Sequence, residues 1–383
     1  MLLTLDPPSA DPLWQLTADC ARDVRPQRLD LIVGVYRDDT GVSPVMQAVR
    51  TAELRLAERS GSKAYVGPAG CERFTRSTAA LLLADPALEA RTEGVQTVAG
   101  TGALRLLAEL LAATGPDRTV HLGTPAYVNH PAILAAAGLR TVTHPVTPDG
   151  SAMLAAVRTA RPGDVLLIQG CCHNPTGLSM SAALWDELAS VMARRGVVPF
   201  IDQAYFGLGD GLDEDLDGMR RLLRAVPDAV VAVSASKAWG LYSERTGCAL
   251  ILSDDAAQRR HAATLLENIA RASYSQPPAH GAAIVAEILT DPALTACWRG
   301  ELESMRLRLG VLRDGLARLT GFAGLGEQRG MFLKLPLGPA AMLRLRSEHA
   351  VYGLPSGRIN LAGIPAGRVG AVARALRAAH RPT

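Results

Sequence analysis

From about residue 94 the chain alternates short apolar runs rich in Val, Ile and Leu with amphipathic stretches in which Leu and Ala recur at helical spacing. Seven runs read as strands: Val95–Ala99, Thr119–Leu122, Thr141–His144, Val165–Gln169, Val198–Asp202, Ala229–Ser234 and Cys248–Leu252. The 3.6-residue period between them predicts helices such as Ala103–Ala113, Pro131–Ala137, Ala182–Arg195 and Leu216–Ala225. Parallel strands need such crossovers, so the pattern predicts an α/β fold with a mostly parallel seven-stranded sheet between helices. Ligands of such sheets sit beyond the carboxyl ends of the strands, which directs attention to the polar residues after each run.

After about residue 255 the pattern turns helical, and a long arginine-rich amphipathic segment, Ala293–Leu319, leads to a short sheet-like region around Gly330–Leu335. This predicts a smaller α+β domain built from both termini. The expected division is an arm over residues 1–11, a small domain from 12–43 and 303–383, and a large domain over 44–302, with the boundary near 302 inside the long helix. No internal repeat or low-complexity segment appears.

Composition narrows the function. Among 383 residues, 40 Lys and Arg face 37 Asp and Glu, a net charge of +3 that is too small and too dispersed for a nucleic-acid or anionic-membrane surface. No apolar segment approaches the roughly 20 residues of a membrane span. The N-terminus, Met1-Leu-Leu-Thr-Leu5, lacks a secretory signal's charged flank and long apolar stretch, so a cytoplasmic location is expected. Six scattered cysteines suit reduced thiols. Cys171-Cys172-His173 contains metal-ligand types without a second cluster, and a turn at a strand end is expected there, with no metal. Only three lysines occur, Lys63, Lys237 and Lys334, against 37 arginines. A Schiff base requires a primary amine, so few side chains compete for that role.

Val98-Ala-Gly-Thr-Gly-Ala-Leu104 passes from a strand through a glycine turn into a helix, a setting whose free N–H groups suit a phosphate, although glycines also end strands for steric reasons. Ser234-Ala-Ser-Lys-Ala-Trp-Gly-Leu-Tyr-Ser-Glu-Arg245 adds hydroxyls, an arginine and a rare lysine after another strand. Serines and arginine recognise phosphate, and lysine condenses with an aldehyde. Asp202 ends an apolar strand, where a buried carboxylate needs a cationic partner: a protonated pyridine nitrogen or an arginine. Tyr205 and Asn174 are placed to donate to a phenolate oxygen, and each alone is also ordinary turn chemistry.

These strings resemble the class I aminotransferases of fold type I, specifically the bacterial aspartate and aromatic amino-acid branch. The likeness runs nearly end to end, through Val33-Gly-Val-Tyr-Arg-Asp-Asp-Thr-Gly41, Gly100-Thr-Gly-Ala-Leu-Arg105, Gly170-Cys-Cys-His-Asn-Pro-Thr-Gly177, Ser236-Lys237, Tyr274-Ser-Gln-Pro-Pro-Ala-His-Gly281 and Ser356-Gly-Arg-Ile-Asn360. The resemblance implies pyridoxal 5'-phosphate bound to Lys237, which also shuttles the proton, with Asp202 on the pyridinium nitrogen and Tyr205 and Asn174 on the ring oxygen. It implies a phosphate cradle of Gly100, Thr101, Ser234, Ser236 and Arg245, joined by Tyr65 of the partner subunit, with His130 behind Asp202. Substrate contacts would come from Arg358 on the α-carboxylate, from Arg271 of the partner subunit on a distal carboxylate, and from Gly34, Asn174, Tyr127 and Phe332.

The implied protein is a homodimer with shared sites, passing an amino group from an L-amino acid to 2-oxoglutarate in ping-pong fashion. Aromatic donors are expected, acidic ones possible. An aspartate aminotransferase and a specialised enzyme for a modified amino acid are the alternatives within this chemistry; β-elimination, decarboxylation or a regulatory module without turnover lie outside it. Two departures bear on substrate: Tyr127 stands where the branch usually stacks a tryptophan on the cofactor, and Ile32 where it tends to have glycine.

Overall fold

The computed structural model describes residues 12–59 and 61–380, so the expected arm over residues 1–11 lies outside the described residues. The chain forms two compact units. One comprises the described residues up to Ser43 together with those from Leu309 on; the other is Pro44–Arg308. The division falls inside the helix Pro292–Thr320, between Arg308 and Leu309, where the sequence suggested a point near 302.

The larger unit is built on seven strands, β1 (Thr92–Val98), β2 (Thr119–Thr124), β3 (Arg140–Pro145), β4 (Val165–Gln169), β5 (Val198–Gln203), β6 (Asp228–Ser234) and β7 (Thr246–Ser253), in the spatial order β1-β7-β6-β5-β4-β2-β3. Only β7 runs antiparallel to its neighbours. All five residues of β4 and all eight of β7 are buried, as expected for strands covered on both faces. Register decides what meets at the strand ends: Gln169 of β4 lies beside Asp202 of β5, and Asp202 beside Ala232 of β6.

The helix Ala99–Thr114 lays Leu104, Leu107 and Leu111 into a core with Val120 and Leu122 of β2, Leu167 of β4 and Val230 of β6. Each fully buried leucine of this kind contributes roughly 1.5–3 kcal/mol. Helix boundaries follow local chemistry. Ser181 Oγ accepts from Leu184 N at 3.2 Å to start the helix Ala182–Arg195, and Gly196, at φ +64, ends it in a left-handed conformation that suits glycine.

In the smaller unit, Leu29–Asp30 pairs in parallel with Val351–Tyr352, and Phe332–Lys334 pairs antiparallel with Arg358–Asn360. Leu16, Cys20, Ile32 and Tyr352 form its buried cluster. Among the described residues no helix is long and apolar enough to cross a membrane.

Candidate active site

The chemistry of the larger unit collects at the ends of β1, β4, β5 and β6. β1 passes directly into the helix Ala99–Thr114 through Ala99, whose φ of +56 is uncommon for a residue with a side chain. The turn is held by Ala99 N donating to the Arg245 carbonyl at 2.9 Å. It also requires Gly247, because a Cβ there would run into the Val233 carbonyl and the Ala99 backbone. Gly100 then packs on Ser234, where an added Cβ would sit 2.8 Å from the serine Cβ. Ser234 and Ser236 are buried, and Ser236 N donates to Ser234 Oγ at 3.3 Å. Unpaired N–H groups of a helix start, two hydroxyls and the nearby Arg245 form a cradle that fits a phosphate, in a space that a side chain on Gly100 would fill.

Lys237 follows these serines, its Nζ 5.1 Å from the centre of the Tyr205 ring. It retains some contact with solvent but is surrounded by protein at longer range. Burial lowers its pKa to about 8; Asp202 opposes that shift and Arg245 adds to it. A lysine so placed is neutral in a useful fraction near neutral pH.

Asp202, at the end of β5, is buried and meets His130 Nε2 at 2.9 Å. His173 lies close enough to sense this pair: burial first and His130 second lower its pKa to about 4, against the pull of Asp202. Asn174 Nδ2 donates to the Tyr205 hydroxyl at 3.5 Å. Asn174 is itself clamped by Gln169, whose Oε1 accepts from Asn174 N at 2.8 Å and whose Nε2 donates to Asn174 O at 3.0 Å.

Tyr127 sits edge-on to the His130 ring, with centroids 5.2 Å apart and planes at 85°. Its hydroxyl receives Asn129 Nδ2 at 3.3 Å and also hydrogen-bonds Thr101. Burial and then the Asp202 charge raise its pKa, so the phenol stays protonated.

The smaller unit brings together a second group. Arg358, buried, donates from Nη2 to the Ile32 carbonyl at 2.6 Å and lies 4.3 Å over the Phe332 ring. Gly34 faces the same ring: a Cβ on it would sit 2.6 Å from Phe332 Cζ, so only glycine leaves that face open. Asn360 Nδ2 donates to the carbonyls of Val33 and Val35, both at 2.8 Å, and thereby fixes the backbone on either side of Gly34. Tyr65 is 92% exposed and Arg271 is also exposed, on the last turn of the helix Ala256–Tyr274.

Sequence reasoning missed Gln169, Asn129 and Asn360, which position other groups. Asn360 had a legible signal, since it lies two residues beyond Arg358 and so on the same side of an extended strand. At Cys171-Cys172 a different third residue joins: the two thiols and the Asp215 carboxylate have ligand atoms within 4.8 Å of one another. Asp215 accepts backbone N–H groups from Gly207, Gly209 and Asp210 at 2.8–2.9 Å, which makes it the organiser of that loop.

The cradle suits a phosphate and Lys237 an aldehyde, and together they define a pyridoxal-phosphate-binding transferase. The chain belongs to the aminotransferase class I and II family, whose sequence pattern matches residues 26–376, and its cofactor is pyridoxal 5'-phosphate. It is 45% identical to the tyrosine aminotransferase of Rhizobium meliloti (strain 1021), over 92% of this chain and 94% of that one. The aspartate aminotransferase of Escherichia coli (strain K12) is 37% identical over 93% of this chain and 94% of its own. The crystal structure of the aromatic-amino-acid aminotransferase from Burkholderia pseudomallei, covalently bound to pyridoxal phosphate, superposes with a TM-score of 0.94 at 34% identity, covering 99% of both chains. The protein is an aminotransferase, with amino acids and keto acids as substrates.

Proposed function

We propose that this aminotransferase takes its amino group from aromatic L-amino acids, accepts acidic ones as well, and delivers it to 2-oxoglutarate, as a cytoplasmic homodimer with shared sites. The observation that carries the aromatic assignment is Tyr127: with its hydroxyl committed to Asn129 and Thr101, it presents a smaller ring than a tryptophan at the stacking position. The tyrosine and aromatic-amino-acid names of the relatives point the same way. All six cysteines are free thiols, in keeping with a reducing compartment.

When bound, the cofactor supplies an electron sink for the charge left on the substrate α-carbon. In this reading Lys237 would hold the cofactor through its Nζ, and the same atom would take up and give back the substrate proton. Asp202, held by His130, would face the pyridinium nitrogen. Tyr205 and Asn174 hold the ring oxygen, while Gly100, Thr101, Ser234, Ser236, Arg245 and Tyr65 of the partner subunit hold the phosphate. Arg358 grips the α-carboxylate with two parallel hydrogen bonds that its planar guanidinium suits. Phe332, Gly34 and Tyr127 would each contact the substrate, and Arg271 of the partner subunit would meet a distal carboxylate.

A single-turnover experiment tests the reaction. Adding L-phenylalanine to the holoenzyme is expected to bleach the visible cofactor band and release one phenylpyruvate per site, and 2-oxoglutarate is expected to restore the band. Bleaching without phenylpyruvate, or no recovery with 2-oxoglutarate, would reject the proposal in favour of elimination or decarboxylation.

A further inference from the structure

Behind the Asp202–His130 pair, within the larger unit, lies a cavity that none of the roles above uses. It offers about 90 Å³ to the centre of a water-sized body, and Leu122, Met153, Leu178 and Trp185 supply much of its wall. His130 and His144 also line it; they are 1% and 9% exposed, and each has one buried ring nitrogen with no partner among the described residues, Nδ1 of His130 and Nε2 of His144.

The other nitrogen of each ring fixes what these two offer. His130 Nε2 faces the Asp202 carboxylate, which accepts, so that nitrogen carries a proton and Nδ1 is left to face the cavity as an acceptor. His144 Nδ1 lies 3.2 Å from the Pro145 carbonyl, which again only accepts, leaving Nε2 as a second acceptor. Burial lowers the His144 pKa and keeps that ring neutral. Gly123 gives the ring its place, since a Cβ there would lie 3.3 Å from His144 Cε1.

Two buried acceptors without donors are costly, and the wall is mostly apolar, with Thr147, His173 and Ser179 as further polar side chains, so water has few partners beside the two nitrogens. At roughly 10–15 Å³ per water the space would take several, each seeking two to four polar partners. The Gln169 amide, which also lines the cavity, is already spent on Asn174. An occupant with an apolar body and one or two donors fits both the walls and the nitrogens.

We propose that this cavity is a binding site for a small, mostly apolar molecule bearing an O–H or N–H donor, of the phenol or azole class, which donates to His130 Nδ1 or His144 Nε2. Such a ligand lies one hydrogen bond behind the His130–Asp202 pair without entering the substrate pocket. Its binding does not depend on which amino acid the enzyme uses.

The test uses the holoenzyme with phenol, pyrazole and benzene as probes, by calorimetry and by crystals soaked in each. Phenol is expected in the cavity, its oxygen within hydrogen-bond distance of one of the two nitrogens, and benzene is expected to bind at least about tenfold more weakly. His144→Phe, which removes an acceptor, and Met153→Trp, which fills the space, are each expected to weaken phenol by about tenfold or more. Neither residue has a place in the transamination machinery, so turnover of each variant serves as the check on folding. Ordered water alone in the cavity at saturating phenol, phenol found only in the substrate pocket, or benzene binding as tightly as phenol would overturn the proposal. The benzene comparison needs no variant, so it stands even where a substitution fails to fold. An error in the assigned amino donor would appear in turnover alone and leave phenol binding unchanged.

Discussion

His130 Nε2 donates to Asp202 Oδ2 across 2.9 Å, and the two side chains are 1% and 8% exposed. A buried carboxylate that loses its donor carries a desolvation cost of roughly 1–3 kcal/mol. His130→Phe is therefore expected to lower kcat and weaken pyridoxal-phosphate binding about tenfold or more. Asp202→Asn is expected to be worse, because it removes the charge itself. Equilibrium dialysis of the cofactor and the pH profile of kcat check this, with His130→Gln recovering part of the loss if the histidine acts by donating to Asp202. Unchanged cofactor affinity in His130→Phe would remove the histidine from this role.

Lys237 gives a pH prediction in the apoenzyme. Its ordinary pKa is 10.5 and its folded value about 8, so the folded state resists the proton. The cost to stability is full below about 8 and is relieved as pH rises toward 10.5. Lys237→Met is expected to stabilise the apoenzyme at pH 7 by up to roughly 3 kcal/mol, a gain that disappears near pH 10.5. Urea unfolding at several pH values measures it. A gain over the unmutated apoenzyme no larger at pH 7 than at pH 10.5 would show that the lysine's burial is relieved in the apoenzyme.

Asn129 caps no helix with its side chain, although it stands just before the helix His130–Ala136; its amide goes to the Tyr127 hydroxyl instead. Asn129→Ala is expected to loosen Tyr127 and change the visible circular dichroism of the bound cofactor, with kcat/KM reduced by about three- to tenfold, the loss of one ordinary hydrogen bond. Tyr127→Phe should lose at least as much, because it also forfeits the Thr101 bond, and the double variant should be no worse than Tyr127→Phe alone. Additive losses would mean that the two residues act separately.

Much of this architecture was legible because each of the seven apolar runs falls on a strand, with ends shifted by a few residues. Ala99 was the instructive miss: read as a strand end, it opens a helix at φ +56, a turn that depends on Gly247, almost 150 residues away in sequence. Lys237 stood out by rarity, and Asp202 by the oddity of a carboxylate closing an apolar strand. Gln169 and Asn129 did not, since an amide beside a turn looks the same whether it holds a neighbour or faces water. The two-residue pairing of Leu29–Asp30 with Val351–Tyr352 is too short for any periodicity to mark.

The proposed sharing of sites is tested by mixing subunits. If Arg271 of the partner subunit completes each site, a hybrid of one Lys237→Ala chain and one Arg271→Ala chain contains one site with both defects and one intact site. Random reassociation of equal amounts is then expected to return roughly a quarter of the full aspartate activity, from half the dimers with one good site each. No recovery would place Arg271 and Lys237 of the same chain in one site.

Substrate choice sets Arg271 of the partner subunit against Tyr127. A charge-assisted contact with the distal carboxylate of aspartate contributes roughly 1.5–3 kcal/mol. An aromatic side chain forgoes that contact but buries on the order of 150 Å² or more, which at about 25 cal/mol per Å² is near 4 kcal/mol when the pocket can close on the ring. Space beside Tyr127 decides whether that gain is realised, and a phenol pinned by Asn129 and Thr101 occupies less of it than an indole would. The kcat/KM for phenylalanine with 2-oxoglutarate is therefore expected to exceed that for aspartate by about tenfold, the value of one to two kcal/mol. Tyr127→Trp should shrink that ratio by crowding the ring. Arg271→Ala should cut the aspartate reaction by about tenfold or more and the phenylalanine reaction by less than about threefold, since only the former uses the guanidinium. Equal damage to both reactions would show that Arg271 serves the fold or the dimer rather than selection, and a clear preference for aspartate in the unmutated enzyme would reject the aromatic assignment.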